Sequence, residues 1–263
     1  VGDLPEVVID LPFEGYNQIL TQRETGLKDG VFIGNDRDFV AADIRFEDKV
    51  IPIFMRLQQG TAIHLGEDEK WNFDIRTRNN AQLLDMQRFY LIDPADNNWL
   101  SEWALMENLR QEGLLASRYH FVRLILNGDD RGIYALQEGF GPELMTSQGR
   151  TEGVVVEFDV KPLWESIAYF QGDVEALAAD PITNLSTAGY QFFEVDTFRD
   201  ADIAADEFLS AQKNRAISLL RGFQRGELTA EEVFDVAKYG RFLALLDLWG
   251  ATEGASLVNL RYY

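Results

Sequence analysis

Cysteine is absent from the 263 residues, which excludes disulfides, a thiolate nucleophile and any cysteine-held zinc site. Histidine is almost as scarce. His64 and His120 occur in unrelated contexts, with no second imidazole at ligand spacing, so a histidine-rich transition-metal centre is disfavoured. His120 falls within the apolar run Tyr119 to Leu126 and is expected to be a core or sheet-edge residue. Basic residues are outnumbered: 24 lysines and arginines face 44 acids, and the formal charge of −20 repels nucleic-acid phosphates and anionic lipid headgroups. The carboxylate surplus reads first as solubility, with a hard cation such as magnesium or calcium as its alternative use. No apolar run approaches the roughly 20 residues that span a bilayer, so direct membrane insertion is not expected. The chain opens at Val1 without a methionine or signal peptide, as a mature or trimmed product would. Missing too are a GxGxxG after a strand, a Walker phosphate loop and a GxSxG elbow.

What is present is a globular composition. With 46% hydrophobic residues the chain can bury a sizeable core, as one large domain or as two joined lobes, a β-rich one over about 1–140 and a helix-rich one over about 141–263. The first 95 or so residues read mainly as strands and turns. Phe39 to Phe46 and Val50 to Leu57 alternate apolar and polar positions around the charged connection Glu47-Asp48-Lys49, a hairpin pattern, and Trp71 to Arg76 reads as a further strand. From Asn97 to Gln111 the spacing of Trp99, Trp103, Met106 and Leu109 predicts one helix, stopped by Gly113. A second hairpin joins Tyr119 to Leu126 with Gly132 to Gln137 through Asn127-Gly128, a pair that tolerates positive φ. Gly153 to Asp159 reads as a buried strand, Asp202 to Gln224 as a helix, and Thr229 with Glu232 as a capping box opening a helix that reaches about Trp249. Leu257 to Tyr263 is strand-like. The order predicts an α+β fold, mainly antiparallel β with one crossing helix in the first half and helices in the second, rather than βαβ alternation.

The run YHFVRLILNGDDRGIYALQE, Tyr119 to Glu138, resembles the F-V-x-V-Y-L-N-G-x-x-x-G-x-Y-x-L-x-E hairpin of the spore-coat protein H (CotH) kinase family, with Asn127, Gly128, Gly132, Tyr134 and Glu138 in matching places. Upstream, Gly60, Lys70, Phe73 and Ile75 are similar to that family's Gly turn and following strand. Downstream, FLALLDLWGATEGASLVNLRYY, Phe242 to Tyr263, is similar to its catalytic helix, loop and strand. The resemblance implies a protein-kinase-like fold, ATP and magnesium as cofactors, and phosphoryl transfer to a protein in the cell envelope or outside the cell. It casts Lys70 and Gly60 as nucleotide-binding, Glu102 or Glu107 as the acid holding Lys70, Glu253 as the base and Asn259 as a metal ligand.

Departures from the family pattern imply weak activity or none. Gly60-Thr61-Ala62 stands where relatives have Gly-Ser-Ser, and Glu253 stands in for an aspartate. The family's W-D-x-D metal motif is expected on a strand after this one, so the chain is expected to lack the end of the family domain. Two other readings follow. A pseudokinase-like module would bind an envelope partner without catalysis. A carboxylate-based glycoside hydrolase would draw its acids from Glu138, Glu157 and Asp159. Asp36-Arg37-Asp38 resembles a short glycosyltransferase metal motif and carries almost no weight.

Overall fold

In the computed structural model the described residues are 4–62, 65–66, 70–151, 153–180, 193–198, 200–256 and 259–263. The chain divides into two compact units. The first takes Val1–Ala104, Ser117–Gly139 and Ile167–Asp173, and the second Leu105–Ala116, Phe140–Ser166 and Val174–Tyr263.

Seven strands of the first unit close into a barrel. In chain order the unit carries β1 (Glu6–Asp10), α1 (Phe13–Asp29), β2 (Val31–Phe32), β3 (Val40–Phe46), β4 (Lys49–Leu57), β5 (Gly60–Thr61), β6 (Phe73–Thr77), β7 (Arg88–Ile92), α2 (Ser101–Gln111), β8 (Tyr119–Leu126) and β9 (Asp129–Glu138). The barrel order is β1-β3-β4-β6-β7-β9-β8, and β8 returns to β1 in the one parallel pairing, Glu6 opposite Arg123 through Ile9 opposite Leu126. Helix α2 is shared, with its first turn in the first unit and the remainder in the second.

Alternation builds the barrel interior. Val40, Ala42, Ile44 and Phe46 of β3 point inward, and so do Ile51, Ile53, Met55 and Leu57 of β4, while the residues between them face out. Phe73, Ile75, Phe89, Leu91, Val122, Leu124 and Leu136 complete the same core. Each valine, leucine, isoleucine, methionine or phenylalanine among them contributes about 1.5–3 kcal/mol on full burial. Closure leaves no open edge in this sheet, a feature that separate hairpin patterns do not announce.

The α+β class holds, with two corrections. The sheet is a closed barrel rather than a set of hairpins crossed by one helix. Helix α1 also occupies a stretch read as strands and turns. Its buried stripe is Gly15, Ile19, Gln22 and Gly26, so hydrophobic periodicity is nearly silent. The glycines permit close packing, since a Cβ on Gly26 would lie 2.6 Å from Leu65 Cδ1 and one on Gly15 2.8 Å from Leu11 Cδ1. Gln22 is buried because it works as a staple: its Nε2 donates to the Asp38 carbonyl (2.6 Å) and its Oε1 accepts from Leu57 N (2.9 Å).

The second unit is helical around a small sheet. Strands β10 (Val156–Phe158) and β11 (Val195–Thr197) pair antiparallel, and Val156, Phe158, Phe193, Val195, Ile203 and Leu220 form its core. Its helices are α3 (Pro142–Ser147), α4 (Lys161–Tyr169), whose last three residues fall in the first unit, α5 (Val174–Ala179), α6 (Asp200–Ala205), α7 (Glu207–Gln224), α8 (Ala230–Val233) and α9 (Val236–Leu248). The helix expected over Asp202 to Gln224 is broken at Asp206, whose side chain accepts from Leu209 N and so starts a new helix. The Thr229 capping box forms, but it opens a single turn, and Asp235 caps the helix that follows. The expected terminal strand reduces to a bridge between Val156 and Tyr262, with Leu257 and Val258 outside the described residues. Among the described residues no helix is long and apolar enough to cross a membrane.

Candidate functional site

The β8–β9 hairpin organises the first unit's candidate site. Asn127 (φ 52°) and Gly128 (φ 88°) supply the two positive-φ positions of its turn. Beyond the turn the ladder slips between Leu124 and Ile125, leaving Arg131 as the extra residue. Asp130 fixes this bulge: its carboxylate accepts from Gly132 N (2.9 Å) and pairs with Arg123, which hold its pKa down at about 2. Gly132, at φ 77°, serves the same bulge.

Lys70 lies against this hairpin. Its Nζ donates to the Ile133 carbonyl (3.0 Å), stands 5.5 Å from the centre of the Tyr134 ring and pairs with Asp93 at 3.7 Å. Tyr134 in turn donates its hydroxyl to the Trp71 carbonyl (3.2 Å). Lys70, Gly132, Tyr134 and Asp93, scattered in sequence, thus converge. Asp93 was missed by sequence reasoning. Its signal is the Asp-Pro pair at the end of β7, where the same carboxylate caps the short 3₁₀ turn Pro94–Asn97.

The acid expected to hold Lys70 is elsewhere occupied. Glu102 accepts from Asn97 Nδ2 and from Gln137 Nε2 (3.0 Å), and Glu107 pairs with Arg110 one turn along α2 at 3.4 Å. Their roles as lysine partner are therefore replaced by Asp93, which the end of β7 brings to the ammonium. Gly60 sits on β5 opposite Phe32, with open space where a Cβ would be.

Burial pushes the Glu102 carboxyl above the ordinary value of 4.5, against the Asn97 and Gln137 hydrogen bonds that pull it down. The buried Tyr119 hydroxyl faces the same carboxylate without a hydrogen bond of ordinary geometry, and burial raises its pKa as well. A raised folded-state pKa means that the folded protein binds this proton more tightly than the unfolded chain. Stability from this group is therefore present below pH 4.5 and is lost as pH climbs through the raised value. Urea unfolding of Glu102→Gln across that window should show a flatter pH profile than wild type; an unchanged profile would exclude Glu102 as the source.

On the outer face of β4, β6 and β7 lies a cluster the sequence did not single out. Arg56 donates through Nε (3.2 Å) and Nη2 (2.9 Å) to buried Asp74, which Arg88 approaches at 3.8 Å. Arg76 pairs with Asp36 at 3.0 Å, and the Phe39 ring takes both Arg56 (4.5 Å) and Arg76 (4.1 Å). Asp36 and Asp38 of the metal-like triplet are thus engaged in an ion pair and a capping box.

In the second unit, Glu253 lies on the 3₁₀ turn Thr252–Ala255 and is exposed. Asn259 is beside it, donating Nδ2 to the Glu253 carbonyl (3.0 Å) and to Ser256 Oγ (3.2 Å). The structure brings these two expected residues together. Among the described residues no group of three or more histidines or carboxylates is arranged to hold a metal ion. The hydrolase acids are committed: Glu138 to Arg118 at 2.6 Å and Glu157 to Arg261 at 2.6 Å, while Asp159 accepts from Lys161 N. His120 is exposed on β8 rather than buried in the core, and His64 lies outside the described residues.

The family described as CotH kinase protein matches residues 64–263. The chain belongs to the CotH kinase family. No curated protein matches it. The matched segment contains Lys70, the whole β8–β9 hairpin, Glu253 and Asn259. Gly60 and strands β1, β3 and β4 precede it. A CotH kinase domain here thus completes its barrel with strands from outside the matched segment. Glu138 and Tyr134, both buried family-motif residues, hold the barrel together rather than face solvent.

Proposed function

We propose that this CotH-family domain binds ATP with magnesium and transfers phosphate weakly or not at all, acting on a protein of the cell envelope or the extracellular space. The observation that carries the reading is the convergence of Lys70 on the family hairpin. An ammonium has three donors, and one is turned to the Ile133 carbonyl, so two remain for phosphoryl oxygens. Asp93, 3.7 Å from the ammonium, helps to aim Lys70. In the second unit, among the described residues, nothing engages the Glu253 carboxylate, which would accept a proton from an acceptor hydroxyl, or the Asn259 amide oxygen, which would meet a cation while its nitrogen braces the turn.

When bound, ATP supplies the phosphoryl group and magnesium neutralises charge on its oxygens. One amide oxygen, that of Asn259, would hold magnesium only with water and substrate phosphates completing the octahedron, and does not make a resident protein-caged ion. That sparse set supports weak transfer. A non-catalytic, pseudokinase-like partner-binding role is the second reading, favoured by the loss of a helix glutamate as partner of Lys70.

Thermal unfolding with ATP and magnesium, followed by transfer of labelled γ-phosphate, tests both. Expected is a stabilisation that Lys70→Ala removes, with turnover at least tenfold below the roughly 1 per second of slower working kinases. Turnover near that value, abolished by Lys70→Ala, overturns the weak-activity reading. No stabilisation at all overturns nucleotide binding and leaves the partner-binding role.

A further inference from the structure

The barrel wall carries more positive charge at one place than the strand register should tolerate. Arg76 and Arg88 are directly opposite each other across β6 and β7, and Arg56 is opposite Asp74 across β4 and β6, all on the outer face. Like charges facing each other across a ladder destabilise it. This chain has 44 acids with which to avoid the arrangement. It instead places three guanidinium groups around two carboxylates, Asp74 and Asp36, and these do not saturate them. Both contacts from Arg56 fall on Oδ2 of Asp74, Arg88 stays beyond hydrogen-bond distance, and the buried Nε atoms of Arg76 and Arg88 have no acceptor, while Asp74 Oδ1, buried beside them, has no donor.

We infer that Arg76 and Arg88, braced by Arg56, form a binding site for a phosphate-type oxyanion, and that Asp36 occupies one arm of it as an internal stand-in. Asp36 is suited to that part. It is highly exposed, its ion pair is with Arg76, and the capping box of its short turn uses Asn35 and Asp38 instead. The site is also built to keep its shape. Phe39 takes two of the guanidinium groups, and Gly34 lets the loop close on Arg56, since a Cβ there would lie 2.8 Å from Arg56 Nη1. Burial and the neighbouring Arg88 pull the Arg76 pKa down, the direction expected where cations crowd without enough countercharge. A planar fork of donors matches a phosphate oxygen pair. The anion could be free phosphate or a nucleotide phosphate, which share this chemistry. The site is separate from Lys70, which precedes β6 and meets the residue after β7, whereas Arg76 and Arg88 lie at the other end of that ladder. It does not depend on any transfer activity.

Titration of the full chain with inorganic phosphate, followed by isothermal calorimetry and unfolding temperature, tests the inference, with chloride at matched ionic strength as control. Expected is saturable binding that Arg76→Gln weakens about tenfold and Asp36→Asn tightens. Both changes are at partly or highly exposed side chains, and circular dichroism of the unliganded variants confirms the fold. A response equal to that of chloride, or one unchanged in Arg76→Gln, overturns the site. A parallel titration with ATP and no magnesium, in the Lys70→Ala background, separates the sources: retained binding that Arg76→Gln abolishes assigns a nucleotide phosphate, and binding by inorganic phosphate alone assigns a free anion. Loss of the Lys70-dependent ATP response with phosphate binding intact defeats the proposed nucleotide function and leaves this site standing.

Discussion

Replacing Arg118 with alanine should lower the unfolding free energy by about 3–5 kcal/mol, because it leaves a buried carboxylate without its counter-charge. That carboxylate is Glu138, the last residue of the family hairpin, only 2% exposed. Arg118 meets it with Nε at 2.8 Å and Nη2 at 2.6 Å, a two-pronged pairing, and also donates Nη2 to the Asp85 carbonyl (3.0 Å). The arrangement ties the start of β8 to the connection between β6 and β7. Screening is slight at such burial, so the pair cannot be treated as a surface salt bridge worth a few tenths of a kcal/mol. Much of the expected loss is the penalty of a stranded charge, not the net worth of the pair. Changing both partners, as Arg118→Met with Glu138→Leu, should therefore recover most of it. Urea unfolding of the two variants decides the matter. A loss below about 1 kcal/mol in Arg118→Ala would mean that water reaches Glu138 and that its burial is not energetically real.

The same residues explain why some of this molecule could be read from its sequence. The β3–β4 and β8–β9 hairpins are legible because their turns are short and chemically marked and their strands alternate cleanly. Asn127-Gly128 announces positive φ, and Val40, Ala42, Ile44 and Phe46 announce a buried face. Helix α1 is hidden because its buried stripe has one large apolar residue, Ile19, the other three being two glycines and a glutamine that serve close approach and hydrogen bonding. Barrel closure is hidden for another reason. The parallel pairing of β1 with β8 joins residues more than a hundred positions apart, and no local pattern encodes it. The candidate site divides likewise. Lys70 and the hairpin residues follow a family pattern, and Glu253 and Asn259 are close enough in sequence to fall together. Asp93 becomes a partner of Lys70 only through register, as do Arg56, Arg76 and Arg88 of one another.

Asn127→Ala should cost about 2–4 kcal/mol of stability while leaving any ATP-induced thermal shift unchanged. Asn127 does three jobs. It takes the left-handed turn conformation at φ 52°, accepts from Leu11 N through Oδ1 (2.7 Å), and donates Nδ2 to the Leu11 carbonyl (3.0 Å). The paired amide bonds replace a strand partner just where β1 ends, so the hairpin turn fastens the parallel seam that closes the barrel. Alanine loses both bonds and adds the strain of a Cβ in the left-handed region, whereas Asn127→Gly loses the bonds alone and should be less harmful by about 1 kcal/mol. Equal losses in the two variants would remove the conformational part of the argument. A vanished ATP response in a folded Asn127→Ala would place the residue in ligand binding instead. The expected outcome bears on how the family is recognised. Asn127, Tyr134 and Glu138 mark the hairpin because the barrel needs them: one clamps the seam, one fills the interior, one anchors Arg118. None of the three is among the residues proposed for transfer, so the barrel's needs and the proposed chemistry fall on different residues of the same domain.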